Sequence, residues 1–369
     1  MKQGWEIKTI GSMCDIKTGK LDANAASDNG LYPFFTCSQT PLRIDNYAYD
    51  CECVLVAGNG ELNAKYYKGK FNAYQRTYII TTKETSKDVS VKYLYKFFSK
   101  YVEQLRKLSI GGVIKYIKLG NLTDATIPVP PIEEQVRIVE ELDCLSGVIE
   151  KKREQLKQLD ALAQSIFYQM FGDPITNEKG WEVKCLRDIS TIGTGATPSR
   201  EKEELYYGGE IHWVKTTEVQ NCDIHSTEET ITQLAVEQTN CKVYPQNTLL
   251  MAMYGQGKTR GQIARLKISA ATNQACAAIM LDEARCILDF IYELLLIKYE
   301  SIRAMAKGGN QANLNLKIVG SIPIILPPLA LQQEFTDKIE AIEKQKELIK
   351  KSISETEALF NARMDYYFN

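Results

Sequence analysis

The sequence has few histidines and no paired-cysteine motif, which argues against a metal centre. Two of its 369 residues are histidine and ten are cysteine, and no two cysteines have the Cys-x-x-Cys spacing that is common in zinc sites. No apolar run is long enough to span a membrane, and the first residues contain no apolar signal core. We therefore expect a cytoplasmic protein with reduced thiols, no membrane segment and no metal site.

The sequence also lacks a recognisable catalytic centre. No serine or cysteine nucleophile has a plausible histidine partner, and no Asn-Pro-Pro-Tyr methylation motif or glycine-rich cofactor loop occurs. Gly255-Gln256-Gly257-Lys258-Thr259 resembles part of a phosphate-binding loop, but Ala252 stands where that loop needs its first glycine. Arg260-Gly261 also interrupts the helix that should follow. We therefore expect a protein that is not an enzyme and binds no cofactor of its own.

The charge is balanced overall but unevenly distributed. The chain has 45 basic and 46 acidic residues, a net charge of −1, which taken alone disfavours nucleic-acid binding. Residues 1–130, however, carry 18 Lys and Arg against 12 Asp and Glu, whereas residues 173–328 carry 16 against 18. The first third of the chain can therefore form a local basic surface.

The chain contains an internal duplication. Three segments recur: Trp5-Glu6-Ile7-Lys8 as Trp181-Glu182-Val183-Lys184, Gly111-Gly112 as Gly308-Gly309, and Pro130-Pro131-Ile132-Glu133-Glu134-Gln135 as Pro327-Pro328-Leu329-Ala330-Leu331-Gln332. The offset between copies grows from 176 to 197 residues, so the second copy has about 21 more residues. A unit of this length is a domain rather than a solenoid repeat.

Each Pro-Pro pair precedes a predicted long helix, over residues 131–172 and 329–369. Apolar residues follow one another at alternating steps of four and three, which is typical of a coiled coil. The predicted seam consists of Leu142, Leu145, Ile149, Leu156, Leu159 and Ile166 in the first helix, and Ile339, Ile342, Ile349, Ile353 and Phe360 in the second. We predict that the helices pair antiparallel within the chain. Alternatively, each packs on its own domain, or the seam joins two chains.

The segments outside the long helices are predicted to be mixed α/β domains. Short β-branched or apolar runs bounded by Gly and Asn predict strands at 51–56, 76–82 and 248–254. Apolar and aromatic residues at three- and four-residue spacing predict helices at 88–108 and 284–307.

One stretch has the composition of a nucleic-acid contact. Residues 65–76 alternate basic with aromatic residues, and Lys, Arg, Gln and Asn can bind phosphates or base edges. In the second copy the pattern pairs this stretch with residues 254–262, followed by Asn273-Gln274. Polar tips also occur at Thr197-Pro198-Ser199-Arg200 and at residues 307–313. Each alone could equally be a solvated loop, but their recurrence in both copies favours binding.

The sequence resembles the specificity subunit of type I restriction–modification systems over essentially its whole length. The resemblance rests on the duplicated openings, the Pro-Pro-x-x-x-Gln segments and Met170-Phe171-Gly172-Asp173-Pro174. Residues 209–213 (Gly-Glu-Ile-His-Trp) and 271–274 (Ala-Thr-Asn-Gln) look like signatures of target recognition domains. The resemblance implies an α+β fold with pseudo-two-fold symmetry. Residues 1–130 and 173–328 would be recognition domains, and the two long helices, 131–172 and 329–369, a coiled-coil spacer.

The resemblance also implies a function and partners. The chain would bind a bipartite site in double-stranded DNA, one half-site per domain, and dock two methyltransferase subunits that methylate adenine N6. Restriction subunits would join, with S-adenosylmethionine, ATP and Mg²⁺ all held by partner subunits. The candidate DNA contacts are Lys65, Lys68, Lys70, Tyr74, Gln75 and Arg76 in the first domain, and Thr197, Ser199, Arg200, Lys258, Thr259 and Arg260 in the second.

Three other functions remain open from the sequence. The chain could serve a fused, type IIB-like enzyme in which one partner both cuts and methylates. It could be a coiled-coil scaffold that binds no DNA. The Glu-x-Lys of each opening segment also matches half of a nuclease metal site, although the first copy leaves no room for the acidic partner upstream and an edge strand explains both.

Overall fold

The structure, a computed structural model, describes residues 5–255, 257–306 and 313–369. The chain divides into two compact units. Unit 1 comprises Met1–Glu154 and Ile349–Asn369, and unit 2 comprises Gln155–Leu348. Within the described ranges, no helix is long and apolar enough to cross a membrane.

Unit 1 is a mixed α/β unit. Its strands are β1 (Glu6–Thr9), β2 (Cys14–Thr18), β3 (Tyr32–Phe35), β4 (Leu42–Ile44), β5 (Tyr49–Ala57), β6 (Ala64–Ala73), β7 (Thr77–Thr82) and β8 (Thr126–Val129). Its short helices are α1 (Ile10–Met13), α2 (Val91–Leu108) and α3 (Gly120–Thr123). Six strands form one sheet in the order β2-β7-β5-β6-β3-β4, and β1 pairs with β8 in a second.

The alternation of side chains along β5 produces two cores in unit 1. Val54 and Val56 face the core that α2 covers, where both are fully buried. Cys53 and Leu55 point to the opposite face, into a smaller aromatic-rich core. Burial on both faces explains why residues 53–57 of β5 are all apolar, whereas the half-exposed first part of the strand, which contains Asp50 and Glu52, alternates in polarity. The Ser90 side chain caps the first turn of α2 by accepting a hydrogen bond from the Tyr93 amide.

Unit 2 repeats this plan with additional strands. Its strands are β9 (Glu182–Cys185), β10 (Ser190–Thr194), β11 (Tyr207–Val214), β12 (Cys222–Ile224), β13 (Glu229–Ile231), β14 (Val243–Tyr244), β15 (Leu249–Ala252), β16 (Ile263–Leu266), β17 (Ala270–Thr272), β18 (Cys276–Leu281) and β19 (Pro323–Leu326). Its short helices are α5 (Glu203–Tyr206), α6 (Gln233–Gln238), α7 (Leu288–Ile297), α8 (Tyr299–Ala304) and α9 (Leu316–Gly320). They form sheets β10-β18-β15-β16-β12, β13-β11-β17-β14 and β19-β9.

The segment predicted to be helical over 284–307 contains two helices, α7 and α8, so the prediction is confirmed for most of the segment but not as one continuous helix. Lys298 ends α7 and begins α8, with φ −82° and ψ 4°. Its amide still donates to the Leu294 carbonyl and its carbonyl still accepts from the Ile302 amide. The interruption therefore occurs at a single residue in the bridge region of backbone space, which residue spacing alone does not reveal.

The duplicated opening segments occupy the same structural position in both units. β1 pairs antiparallel with β8, with Glu6 opposite Val129, and β9 pairs with β19, with Glu182 opposite Leu326. The opening strand of each copy is therefore hydrogen-bonded to the strand that precedes its Pro-Pro pair.

The glutamine of each Pro-Pro-x-x-x-Gln segment is fully buried. Gln135 donates from Nε2 to the carbonyls of Asp88 (2.6 Å) and Pro130 (2.8 Å), and its Oε1 accepts from the Ser90 amide at 2.9 Å. Gln332 donates to the Pro327 carbonyl at 2.8 Å and accepts from the Ile287 amide at 2.9 Å. Each glutamine thereby ties the start of a long helix to the start of α2 or α7.

Two 40-residue helices follow the Pro-Pro pairs: α4 (Ile132–Phe171) and α10 (Leu329–Phe368). Within unit 1, Tyr367 donates to Glu141 at 2.6 Å, and Lys152 contacts Ser352. Within unit 2, Lys346 pairs with Asp160 at 2.7 Å. In unit 1 residue numbers rise along α4 as they fall along α10, so the segments that meet there are antiparallel. All eleven residues of the predicted seam are buried or half-buried.

The last turn of each long helix completes a core. In unit 2, Phe171 lies 4.9 Å from Phe290, measured between ring centroids. In unit 1, Phe368 lies 5.1 Å from Tyr93. Phe171 and Phe368, like Tyr93 and Phe290, are separated by the 197-residue offset of the duplication. The same aromatic contact therefore recurs in both copies.

Candidate nucleic-acid interface

Three connections meet at one edge of the large sheet in unit 1. They are residues 19–22 after β2, loop 58–63 between β5 and β6, and turn 74–76 between β6 and β7, and together we call them the loop edge of unit 1. The Gly58 amide donates to the Arg76 carbonyl at 2.7 Å, and the Gln75 amide donates to the Leu21 carbonyl at 2.8 Å. The three connections are thus held to one another by backbone hydrogen bonds.

The turn in this edge presents two polar side chains to solvent. It is closed by the Thr77 amide, which donates to the Tyr74 carbonyl at 2.8 Å. Gln75 and Arg76 are exposed, whereas Tyr74 is half-buried. Gly19 allows the close approach of the chain here, because a Cβ atom at this position would lie 2.1 Å from the Ala73 carbonyl oxygen.

Lys65 lies close to Arg76, through a set of contacts around Cys37. The Lys65 ammonium donates to the Asn63 side chain, and Asn63 donates to the Cys37 carbonyl at 2.8 Å. The Cys37 thiol contacts the Arg76 carbonyl at 3.6 Å. Burial lowers the pKa of Lys65, because removal from water disfavours the charged amine.

Lys68 and Lys70 lie on the opposite face of β6 from Lys65, because side chains alternate along a strand. Lys68 pairs with Glu52 at 3.2 Å. The Lys70 ammonium lies 4.7 Å from the centroid of the Tyr47 ring, and a hydrogen bond with Tyr47 raises the pKa of Lys70. The structure therefore brings Lys65, Gln75 and Arg76 together and places Lys68 and Lys70 apart from them.

Unit 2 has a corresponding loop edge, formed by residues 195–200, the described residues of the loop between β15 and β16 (253–255 and 257–262) and turn 273–275. The Met253 amide donates to the Ala275 carbonyl at 2.8 Å, as Gly58 does to Arg76. The Thr197 hydroxyl contacts Oε1 of Gln274 at 2.7 Å. A Cβ atom on Gly195 would lie 1.6 Å from the Thr272 carbonyl oxygen, which repeats the close approach at Gly19.

This correspondence adds to the candidate contacts a residue that the sequence pattern noted, in Asn273-Gln274, but that was not among the predicted DNA contacts. Gln274 occupies in its turn the position that Gln75 occupies in unit 1, and each contacts the segment after the first strand of its large sheet: Thr197 in unit 2 and Asp22 in unit 1. The alignment of Gly19 with Gly195 was the signal that could have identified it. The sheet order also matches loop 253–262 with loop 58–63, rather than with residues 65–76.

The other candidates in the segment after β10 make local contacts. The Arg200 guanidinium pairs with Glu203 at 3.0 Å and Glu229 at 2.6 Å, and it stacks 4.0 Å from the centroid of the Tyr207 ring. The hydrogen bond with Glu229 raises the pKa of Arg200. The Ser199 hydroxyl accepts a hydrogen bond from the Glu201 amide. An anion binding to Arg200 would therefore compete with two carboxylates.

Lys258, Thr259 and Arg260 lie in the loop between β15 and β16. Lys258 is exposed, while Thr259 and Arg260 are half-buried. The loop is attached to α8 through its backbone, because Tyr299 donates to the Lys258 carbonyl and Arg303 to that of Arg260. It joins two antiparallel strands, whereas a phosphate-binding loop leads from a strand into a helix. Gln256 and residues 307–312 lie outside the described residues.

The two signature segments of the second copy are neighbours in one sheet. β11, which contains residues 209–213, pairs in parallel with β17, so that Trp213 lies opposite Ala271. The Trp213 indole donates to the Ala196 carbonyl at 3.1 Å. The Asn273 amide donates to the Val214 carbonyl at 3.2 Å. Both segments therefore position the loop edge of unit 2.

The exposed groups of both edges are hydrogen-bond donors and acceptors. Amide side chains such as Gln75 and Gln274 have the geometry to contact adenine, and a guanidinium such as that of Arg76 has the geometry to contact guanine. In the described part of the chain, no cluster of three or more His, Cys, Asp or Glu residues could hold a metal ion. The exposed side chains of these edges include types that can contact base edges.

Comparison with protein families agrees with this geometry. The family described as "Type I restriction modification DNA specificity domain" matches residues 2–160 and 178–358. The chain belongs to this family. It contains two copies of the family's domain, in tandem within a mixed α/β fold.

Named relatives fall in the same group. The chain is 39% identical over 155 residues to the type I restriction enzyme EcoDI specificity subunit of Escherichia coli, a match covering 42% of this chain and 34% of that protein. It is 27% identical over 271 residues to the MjaIX specificity subunit of Methanocaldococcus jannaschii, covering 68% and 62% respectively. The chain thus spans about a third of the first relative's length and under two thirds of the second's.

Two solved structures have a similar fold. One is the S subunit of a type I restriction–modification system from M. genitalium, with a TM-score of 0.63 at 16% identity, covering 99% of this chain and 96% of that one. The other comes from a study of complex assembly and conformational transition of the type I system, with a TM-score of 0.60 at 15% identity, covering 99% and 97%.

Proposed function

We propose that the chain is the DNA-specificity subunit of a type I restriction–modification complex. Each recognition domain, residues 1–130 and 173–328, reads one half of a bipartite site in double-stranded DNA through its loop edge. The chain performs no catalysis itself. It docks two methyltransferase subunits, which methylate adenine N6 with S-adenosylmethionine. Restriction subunits, which use ATP and Mg²⁺, join the same complex.

The observation that carries this proposal is the match between the two loop edges. Both share two backbone contacts, from Gly58 to Arg76 as from Met253 to Ala275, and across the turn from Thr77 to Tyr74 as from Cys276 to Asn273. Yet Tyr74-Gln75-Arg76 in unit 1 stands where Asn273-Gln274-Ala275 stands in unit 2. One scaffold that presents different side chains in its two copies is suited to reading two different short sequences. A coiled-coil protein that binds no DNA would need neither the repetition of this backbone framework in two domains nor the difference in side chains at the two loop edges.

The long helices are proposed to form an antiparallel coiled-coil spacer that sets the gap between half-sites. A helix of 40 residues is about 60 Å long, which corresponds to roughly 18 base pairs at about 3.4 Å each. Polar contacts between the helices can fix their register, as buried polar residues do in coiled coils. Lys346 with Asp160 and Arg363 with Glu141 are such contacts. The duplication would give the subunit an approximate two-fold axis.

The decisive experiment maps methylated adenines in a host that lacks other adenine methyltransferases and expresses this chain with its cognate methyltransferase. We expect one split motif, with two defined halves and an unspecified gap of constant length. Replacing residues 1–130 by the corresponding domain of another specificity subunit should change one half only, and replacing 173–328 should change the other.

Three results would contradict the proposal. A motif without a gap would exclude two separate readers. A domain exchange that altered both halves would exclude one half-site per domain. Absence of methylation and of salt-dependent duplex binding, in a soluble complex with the partner, would leave the scaffold function.

A further inference from the structure

A short hairpin beside the loop edge of unit 1 carries an apolar tip that is exposed among the described residues. Ile110 and Tyr116 exchange two backbone hydrogen bonds of 3.0 and 2.9 Å, which closes residues 111–115 into the tip. The side chain of Val113 is 103% exposed, relative to a free residue, and that of Ile114 is 63% exposed. Val113 has the largest exposed fraction of any large apolar residue in the described ranges.

The conformation of this tip is fixed by its backbone. Gly111 has a φ of 116°, and a Cβ atom there would lie 2.6 Å from the Ile114 carbonyl oxygen. Only glycine fits such a position. The Gly60 amide donates to the Lys115 carbonyl at 3.0 Å, and the Ile117 amide donates to the Gly58 carbonyl at 2.9 Å. Since Gly58 also binds the Arg76 carbonyl, the tip is attached directly to the loop edge.

The segment that carries the tip is basic, although the adjacent loop 58–63 contains one acidic residue, Glu61. Residues 104–123 include four basic side chains and no acidic one. The basic residues are Arg106, Lys107, Lys115 and Lys118. An apolar tip within a basic segment is complementary to a duplex, in which phosphates flank stacked apolar bases. A protein partner contacting an apolar patch needs no such excess of positive charge.

We propose that Val113 and Ile114 form a wedge that enters the minor groove at the first half-site and partly unstacks one base step. Apolar side chains inserted in this way kink the duplex and are a known means of shape-dependent recognition. The wedge would position the half-site against Gln75 and Arg76, and it adds a preference for an easily unstacked step, such as a pyrimidine–purine step. This inference rests on the proposed function. It concerns unit 1, since the matching segment of the second copy lies outside the described residues.

The test uses the full chain in complex with its methyltransferase and a duplex containing the mapped site. 2-Aminopurine is placed in turn at each position of the first half-site, and its fluorescence reports unstacking. We expect a several-fold increase on binding at one step only. The double variant Val113→Ser/Ile114→Ser should abolish this increase and weaken binding about tenfold. Ile175→Ser is the matched control, because Ile175 is also 63% exposed but lies in unit 2.

The possible outcomes separate this inference from the proposed function. Loss of the fluorescence signal in the double variant, with the signal retained in the control, supports the wedge. Normal half-site binding by the wild-type complex without unstacking at any position overturns the wedge and leaves the proposed function intact. Release of the methyltransferase by the double variant, with unchanged DNA affinity of the chain, would instead identify the tip as a protein contact. If the wild-type complex binds no duplex, both proposals fail.

Discussion

Replacing the buried Gln135 by methionine should destabilise unit 1 strongly, although methionine has nearly the same volume. The Gln135 side chain makes three hydrogen bonds with backbone groups, to Asp88, Pro130 and Ser90, and is fully buried. Each lost hydrogen bond costs about 1 kcal/mol, and more where a buried group is left unsatisfied. We expect a loss of about 3 to 5 kcal/mol in the free energy of unfolding. Hydrogen exchange of unit 1 peptides under native conditions measures it without interference from unit 2.

Two further variants make this prediction specific. Gln104→Met on α2 removes an exposed glutamine, so it should change the stability by less than about 0.5 kcal/mol. Gln332→Met removes two hydrogen bonds and should cost about 2 to 3 kcal/mol in unit 2. If Gln135→Met were no more destabilising than Gln104→Met, the buried amide would not be what holds the long helix to α2, and the reasoning would be refuted.

Three other predictions concern individual ionisable side chains. Burial raises the pKa of Glu293 to about 7, so ionisation of this carboxyl group costs stability as the pH rises above about 4.5. Glu293→Gln should therefore stabilise unit 2 by about 1 to 3 kcal/mol at pH 8 and by much less at pH 5. Equal effects at the two pH values, measured by urea unfolding, would contradict this. The hydrogen bond from Arg363 lowers the pKa of Glu141, so the stability that it provides is fully present at neutral pH and decreases as the pH falls below about 4.5. Glu141→Gln should therefore cost about 1 kcal/mol at pH 7 and progressively less on acidification. A cost that did not change with pH in acid would contradict this. Arg76→Ala should weaken cognate binding by about 1 to 3 kcal/mol and relax the choice of one base, measured by anisotropy and methylation mapping, whereas Lys68→Ala should leave the choice unchanged.

The parts of the fold that the sequence predicts are those fixed by short-range requirements. Gly19 and Gly195 recur because a Cβ atom would collide with a carbonyl in both units. The Pro-Pro pairs mark the start of the two long helices, which begin at Ile132 and Leu329. The break at Lys298 was not predictable, because no glycine or proline marks it in the sequence.

The candidate site was less predictable than the fold. A run of basic and aromatic residues does not reveal which face of a strand each side chain occupies, so Lys65 was grouped with Lys68 although they point in opposite directions. Gln274 was noted beside Asn273 but was not among the predicted DNA contacts, because its neighbours differ from those of Gln75 and the basic-aromatic pattern does not align the two turns. Recognition loops have few sequence constraints of their own, since the strands beneath them determine their position.

Unit 1 is built from two separate segments of the chain, which affects the order in which the units fold during synthesis. Its residues come from both ends of the described chain, whereas unit 2 is one continuous segment, Gln155–Leu348. At about 5 to 20 residues per second, the roughly 195 residues between the two parts of unit 1 take about 10 to 40 s to translate. During this interval the faces of Tyr93 and Phe97 that Phe368 covers in the finished protein remain in contact with water. The amino-terminal half therefore completes its fold last, and until then it presents an aromatic surface of the kind that chaperones bind.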